Sequence, residues 1–175
     1  MRALLALLRC RRGIAATEFA LILPLMILVL AGTAELGNAL LLDRKVTRAA
    51  HSAADLVAQA RSVTTGDLNN VFDAVQQILL PFPATMQITL TSVYRDPSTS
   101  AIRVVWSQTR NGTAYSQGAN FTLPQTNMLL TGESVIVSEI TYPYSALFSD
   151  LILSNITLKD QAYLKPRRVA QVARL

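Results

Sequence analysis

The sequence predicts an α+β fold: an N-terminal transmembrane helix extends into an extracytoplasmic domain with a second helix and a mostly antiparallel sheet. Three observations predict it. Residues 19–34 form a run of 16 residues without a charge. Apolar residues then recur at helical spacing in two successive segments, and from Thr85 the apolar period changes to two. Helices followed by strands is the α+β order. The chain divides accordingly into a basic leader at 1–13, a transmembrane helix at 14–35, a helix extension at 36–61, an extracytoplasmic domain at 62–165 and a basic tail at 166–175.

Residues 14–34 number 21, or roughly 30 Å of helix, the thickness of a bilayer's hydrocarbon core. Arg2, Arg9, Arg11 and Arg12 precede them. An arginine-rich flank stays cytoplasmic, so the N-terminus reads as inside and everything past residue 36 as outside. Leu36, Ala39, Leu40, Val46, Ala50, Ala53 and Val57 continue one helical face beyond the bilayer. The spacing predicts one continuous helix from Ile14 to about Arg61. Thr64-Thr65-Gly66-Asp67 is a break with capping residues, and Leu68, Val71, Phe72, Val75, Ile78 and Leu79 mark an amphipathic helix stopped by Pro81 and Pro83.

Met86, Ile88 and Leu90 alternate with polar residues, residues 96–100 are a turn, and Ile102, Val104 and Trp106 alternate again, which makes a hairpin. Residues 111–127 read as a loop with a short strand at 119–123. A strand at 134–142 ends at Pro143, a short helix follows at 147–153, and a last strand at 156–164 ends at Pro166. The predicted interior includes Phe72, Ile88, Leu90, Val104, Trp106 and Val137. A fragment beginning near Ala49 is expected to fold, because the period-two segments supply the core.

Of the 175 residues, 51% are apolar and 15% charged, which excludes disorder driven by charge. The net charge of +5 sits at the ends: +4 in residues 1–13, +4 in 159–175 and −3 over the 145 between. A phosphate-binding face would have to come from that slightly acidic middle, so nucleic acid is not expected as a partner. The single Cys10 allows no intramolecular disulfide and no cysteine-based metal site. His51, Ser52 and Asp55 lie on a small-residue helix with no Gly-x-Ser-x-Gly turn or oxyanion loop. The chain is therefore read as no enzyme, without metal or cofactor. The sequons at Asn111, Asn120 and Asn155 read as chance patterns.

Three readings compete for the apolar segment. A cleavable secretory signal would be cut at small residues such as 31–34, but the stretch is long, contains Pro24 and continues past Glu35. A plain signal anchor fits but leaves Glu18 unexplained. The third reading is a basic leader ending in Gly13, cut before the apolar helix rather than after it.

Arg11-Arg12-Gly13-Ile14-Ala15-Ala16-Thr17-Glu18-Phe19-Ala20, followed by Leu21-Ile22-Leu23-Pro24-Leu25, resembles the TadE-like family of minor pilins, or pseudopilins, of tight-adherence (Tad/Flp) pili. The resemblance lies in the spacing of glycine, Glu-Phe and Leu-Pro-Leu over residues 11–36. It is weaker at Thr141-Tyr142-Pro143-Tyr144 and Tyr163-Leu164-Lys165-Pro166-Arg167. It implies cutting by a prepilin peptidase between Gly13 and Ile14, Glu18 as the fifth residue of the mature chain, and residence in the bacterial inner membrane or a pilus. The implied partners are a major pilin, a sister minor pilin, the peptidase, the assembly platform with its ATPase, and membrane lipid.

Physical chemistry agrees with that resemblance. A carboxylate inside a membrane helix costs about 2.5–3.5 kcal/mol at the centre and less near the interface, and such a residue usually has a partner; the alternative is that Glu18 lies at the headgroups and is tolerated there. Cleavage after Gly13 would create a positive α-amine at Ile14, one turn from Glu18 and its neighbour Phe19, and the same amine on adjacent subunits. An amine–carboxylate pair between subunits would set the axial register of packed helices. Pro24 removes the backbone bond to the carbonyl of Ala20 and favours a kink. Arg11 and Arg12 act as topology charges, Glu35 as an interfacial acid, and residues 165–175 as a solvated end. Together these give a non-catalytic protein that assists pilus assembly by helix–helix association. The alternative is a secreted or signal-anchored binding domain, cleaved near Ala34 or uncleaved.

Overall fold

The computed structural model describes residues 14–82, 86–145 and 156–175. Its elements are α1 (Ile14–Ala58), β1 (Ser62–Val63), α2 (Thr65–Leu79), β2 (Gln87–Arg95), β3 (Ile102–Arg110), a 3-10 turn (Thr126–Met128), β4 (Ser134–Tyr144), β5 (Ile156–Leu164) and β6 (Ala173–Arg174). The fold is α+β, with a long apolar N-terminal helix, a second helix and a mostly antiparallel sheet. The short helix expected at 147–153 lies outside the described residues.

The 45 residues of α1 extend for about 68 Å, and Pro24 lies inside the helix without ending it. Its first half is exposed and its second half is the spine of the domain. Leu42, Val46, Ala49, Ala53 and Val57, with Ala50, Ala54 and Ala58, form a buried stripe against α2, β4 and β5. The alanines permit that close approach. The expected face is corrected at its start, since Leu36 and Leu40 are exposed. The buried stripe begins instead at Glu35, and Leu36 and Leu40 lie about 100–140° round the helix from it.

α2 starts as its capping residues dictate. The Thr64 hydroxyl accepts from the Asp67 amide at 3.1 Å, and Asp67 Oδ2 accepts from the Thr64 amide at 2.9 Å, the reciprocal capping box. Leu68, Phe72, Val75 and Leu79 form its buried stripe. At its C-terminal end Lys45 of α1 donates to the carbonyls of Ile78, at 3.0 Å, and Leu80. A cation there satisfies orphan carbonyls and complements the helix dipole.

The four-stranded sheet has the order β3-β2-β4-β5 and is antiparallel throughout. One face carries Ile88, Leu90, Ile136, Ile140 and Tyr142 into the main core with the helices. The other carries Val93, Val135 and Val137 into a second core, closed by Leu123 and Leu129. The six residues predicted as interior are all buried, but they are divided between these cores. Val104 faces the second core and Trp106 the first, although strict alternation would place them together. The cause is a bulge: Ser92 pairs with Trp106 and Val93 with Val104, so Val105 is the extra residue that turns the strand over. The short strand expected at 119–123 is reduced to a bridge between Arg103 and Asn120.

Pro143 does not end β4, which continues to Tyr144. Pairing with β2 stops at Thr141, while pairing with β5 includes Pro143 opposite Thr157. Pro143 therefore occupies a place where β4 has one neighbour, and proline is tolerated at an edge. The chain's last residues are not a solvated end. Val172 is fully buried, and its carbonyl accepts from Trp106 Nε1 at 2.9 Å. β6 pairs in parallel with β1. Arg167 forms an ion pair with Asp55 of α1 at 2.6 Å, and Arg174 donates to the Ser107 carbonyl at 3.2 Å and to Gln108 Oε1 at 2.7 Å.

Candidate functional site: the apolar helix and its two acids

Every residue from Ile14 to Leu30 is exposed. The helix is long and apolar enough to cross a membrane, which is compatible with a single-pass anchor. The two threonines within residues 14–34 are handled in the way an apolar solvent requires. The hydroxyls of Thr17 and Thr33 donate to the carbonyls of Ile14 and Val29, each at 2.8 Å, so neither needs an external partner. Glu18 lies one turn after Ile14 on this surface, with Phe19 next to it and Pro24 six residues further on. Ile14, Glu18, Phe19 and Pro24 thus share one exposed stretch. Arg11, Arg12 and Gly13, the topology and cleavage residues of the sequence reading, lie outside the described residues, as does Cys10.

The second acid has a different environment. Glu35 is 17 residues after Glu18, about 26 Å along the axis, and only 1% of its surface is exposed. It accepts a hydrogen bond from the hydroxyl of Tyr144 at the end of β4. The expectation of an interfacial acid is corrected: the folded domain reaches back and encloses it. Burial, then the hydrogen bond and charge of Glu35, push the Tyr144 phenol up to about 12. The available signals were an acid at the boundary of an apolar run and a Tyr-Pro-Tyr segment, but nothing in the sequence pairs two positions 109 residues apart.

The remaining candidates do not converge on chemistry. His51 is exposed and Ser52 half-buried, while Asp55 is engaged by Arg167 and by Gln59. No curated protein and no solved structure matches the chain. Over residues 13–55, which hold the exposed apolar helix, Glu18, Glu35 and the start of the buried alanine stripe, the chain matches the family model of the TadE-like proteins, the family that its N-terminal motif resembles.

Proposed function

We propose that the chain is a minor pilin or pseudopilin of a tight-adherence pilus, a non-catalytic protein that acts by helix–helix association in the membrane and then in the filament or at its base. The observation that carries the reading is an unburied apolar helix with an acid one turn from its start, within the segment that matches the TadE-like family. The exposed apolar surface also continues past the bilayer length at Leu36, Leu40 and Leu41, where lipid would not cover it and a neighbouring helix would. Arg11 and Arg12 hold the leader on the cytoplasmic side. A prepilin peptidase cuts between Gly13 and Ile14, and the new Ile14 amine pairs with a Glu18 carboxylate on an adjacent subunit. The major pilin, a sister minor pilin and the assembly platform are the partners, and the sheet domain lies outside the inner membrane.

The test is the intact mass and N-terminal sequence of the protein from native membranes. A mature chain starting at Ile14 is expected. Cys10 leaves with the leader, so a thiol-reactive mass tag should label the precursor and not the mature form. A mature chain starting near Glu35 would instead support the secreted binding domain.

A further inference from the structure

The sheet face turned away from α1 carries a cleft of about 380 Å³. Its floor is Glu139 of β4 with Gln161 and Tyr163 of β5, where Glu139 and Gln161 are direct cross-strand partners. Its wall is the 111–123 segment, which contributes Tyr115, Asn120 and Phe121. Tyr115 and Phe121 meet edge to face, with ring centroids 5.2 Å apart. The polar groups of the floor are already fixed in place: Tyr163 donates to Gln161 Oε1, and Gln161 Nε2 donates to Glu139 Oε1 at 2.7 Å.

We infer that this cleft is a binding site for a neutral pyranose sugar, one or two rings in size. Aromatic faces and edges suit the apolar C–H face of a sugar ring. Planar carboxylate and carboxamide groups suit its neighbouring hydroxyls, and Glu139, Gln161 and Asn120 supply three of them. The volume is at the small end of ligand sites, which run about 300–1,000 Å³. Among the described residues the cleft is lined by no lysine or arginine, and Glu139 opposes an anion. A quaternary cation would use the rings and the carboxylate but would leave both carboxamides unused. The cleft lies on the face opposite α1, so association through α1 leaves it open. The inference stands apart from the pilus reading and survives if that reading fails.

The test is saturation-transfer NMR on the full chain in a polyoxyethylene detergent, since maltoside detergents carry the ligand chemistry themselves. The probes are N-acetylglucosamine, glucose and galactose, with choline and glucose 6-phosphate as the charged controls. At least one neutral sugar should receive saturation with millimolar affinity. Gln161→Ala and Tyr115→Ala should each weaken it about tenfold or more, and Tyr115→Phe, which keeps the ring, by less. Asn120→Ala, at an exposed position, carries the same test if Tyr115→Ala unfolds. No transfer to any neutral sugar at about 10 mM, equal transfer with all variants, or a preference for choline or the phosphate would overturn the assignment.

Discussion

The hydroxyl of Tyr144 donates to Oε1 of Glu35, tying the end of β4 to α1 at the level where the exposed apolar run gives way to the buried stripe. A buried carboxylate is stable only with its donors in place. The bond therefore links the attitude of the sheet domain to the helix that would sit in the membrane. Tyr144→Phe should cost about 1–3 kcal/mol, the cost of withdrawing a hydrogen-bond partner from a buried polar group. Glu35→Gln, Tyr144→Phe and the double variant, unfolded by denaturant in detergent micelles, should give a coupling energy above about 0.5 kcal/mol. Strictly additive losses would show that the two side chains do not act together.

The same pair predicts an alkaline limit to stability. The Tyr144 phenol is raised from 10.0 to about 12 in the fold, so the folded state retains a proton that the unfolded state gives up sooner. The stability this contributes is complete below pH 10 and is lost as the pH rises towards 12. Burial also raises Tyr115 and Tyr163, and they add to the loss. Melting temperatures measured across that window should fall, and Tyr144→Phe should fall less steeply than the parent.

Removing residues 171–175 should destabilise the domain. It withdraws the carbonyl that accepts from Trp106 Nε1 and the fully buried Val172, which cost about 1–3 and about 1.5–3 kcal/mol respectively. Trp106 is the sole tryptophan, so its fluorescence reports the event directly. Red-shifted emission and a lowered melting temperature are expected. Unchanged emission would mean that the C-terminal strand is dispensable.

A soluble fragment should begin near Gly37 rather than Ala49. Leu42 and Val46 are 0% and 1% exposed, and each contributes about 1.5–3 kcal/mol by burial. Lys45, which caps α2, is lost as well in the shorter fragment. The longer fragment should unfold cooperatively at a clearly higher denaturant concentration. Equal midpoints would place the core entirely in the later segments.

Periodicity and punctuation made most of the fold legible. The capping box at Thr64 and Asp67, the hairpin around residues 96–100 and the last strand at Ile156–Leu164 all follow from local chemistry, and local chemistry is what a sequence displays. The misses are long-range. Glu35 and Tyr144 meet only because β4 returns to α1, and the closing segment is fixed by a tryptophan 66 residues earlier. One miss had a local sign: Val104-Val105-Trp106 puts three apolar residues in succession within an alternating strand, which is the pattern a bulge produces. At the candidate site, the exposed apolar run that holds Glu18, Phe19 and Pro24 was legible, because it is long and nearly uncharged. The sugar cleft was not, since its polar and aromatic residues are scattered over 49 positions and read singly as ordinary strand and loop residues.

The central claim is that Glu18 sets register by pairing with the Ile14 amine of a neighbouring subunit, and substitution at Glu18 tests it most directly. Glu18→Ala should insert normally, since a membrane charge is removed, and should still be cut after Gly13. Glu18→Gln keeps shape and hydrogen bonding but not charge, and should fail in assembly nearly as badly as Ala. Glu18→Asp should retain part of the function. The measurement is co-purification of each mature variant with its pilin partners, together with counts of surface pili. Loss of partners and pili with both Ala and Gln, despite correct cleavage, is the predicted result. Normal partner recovery and normal piliation with both would contradict the account.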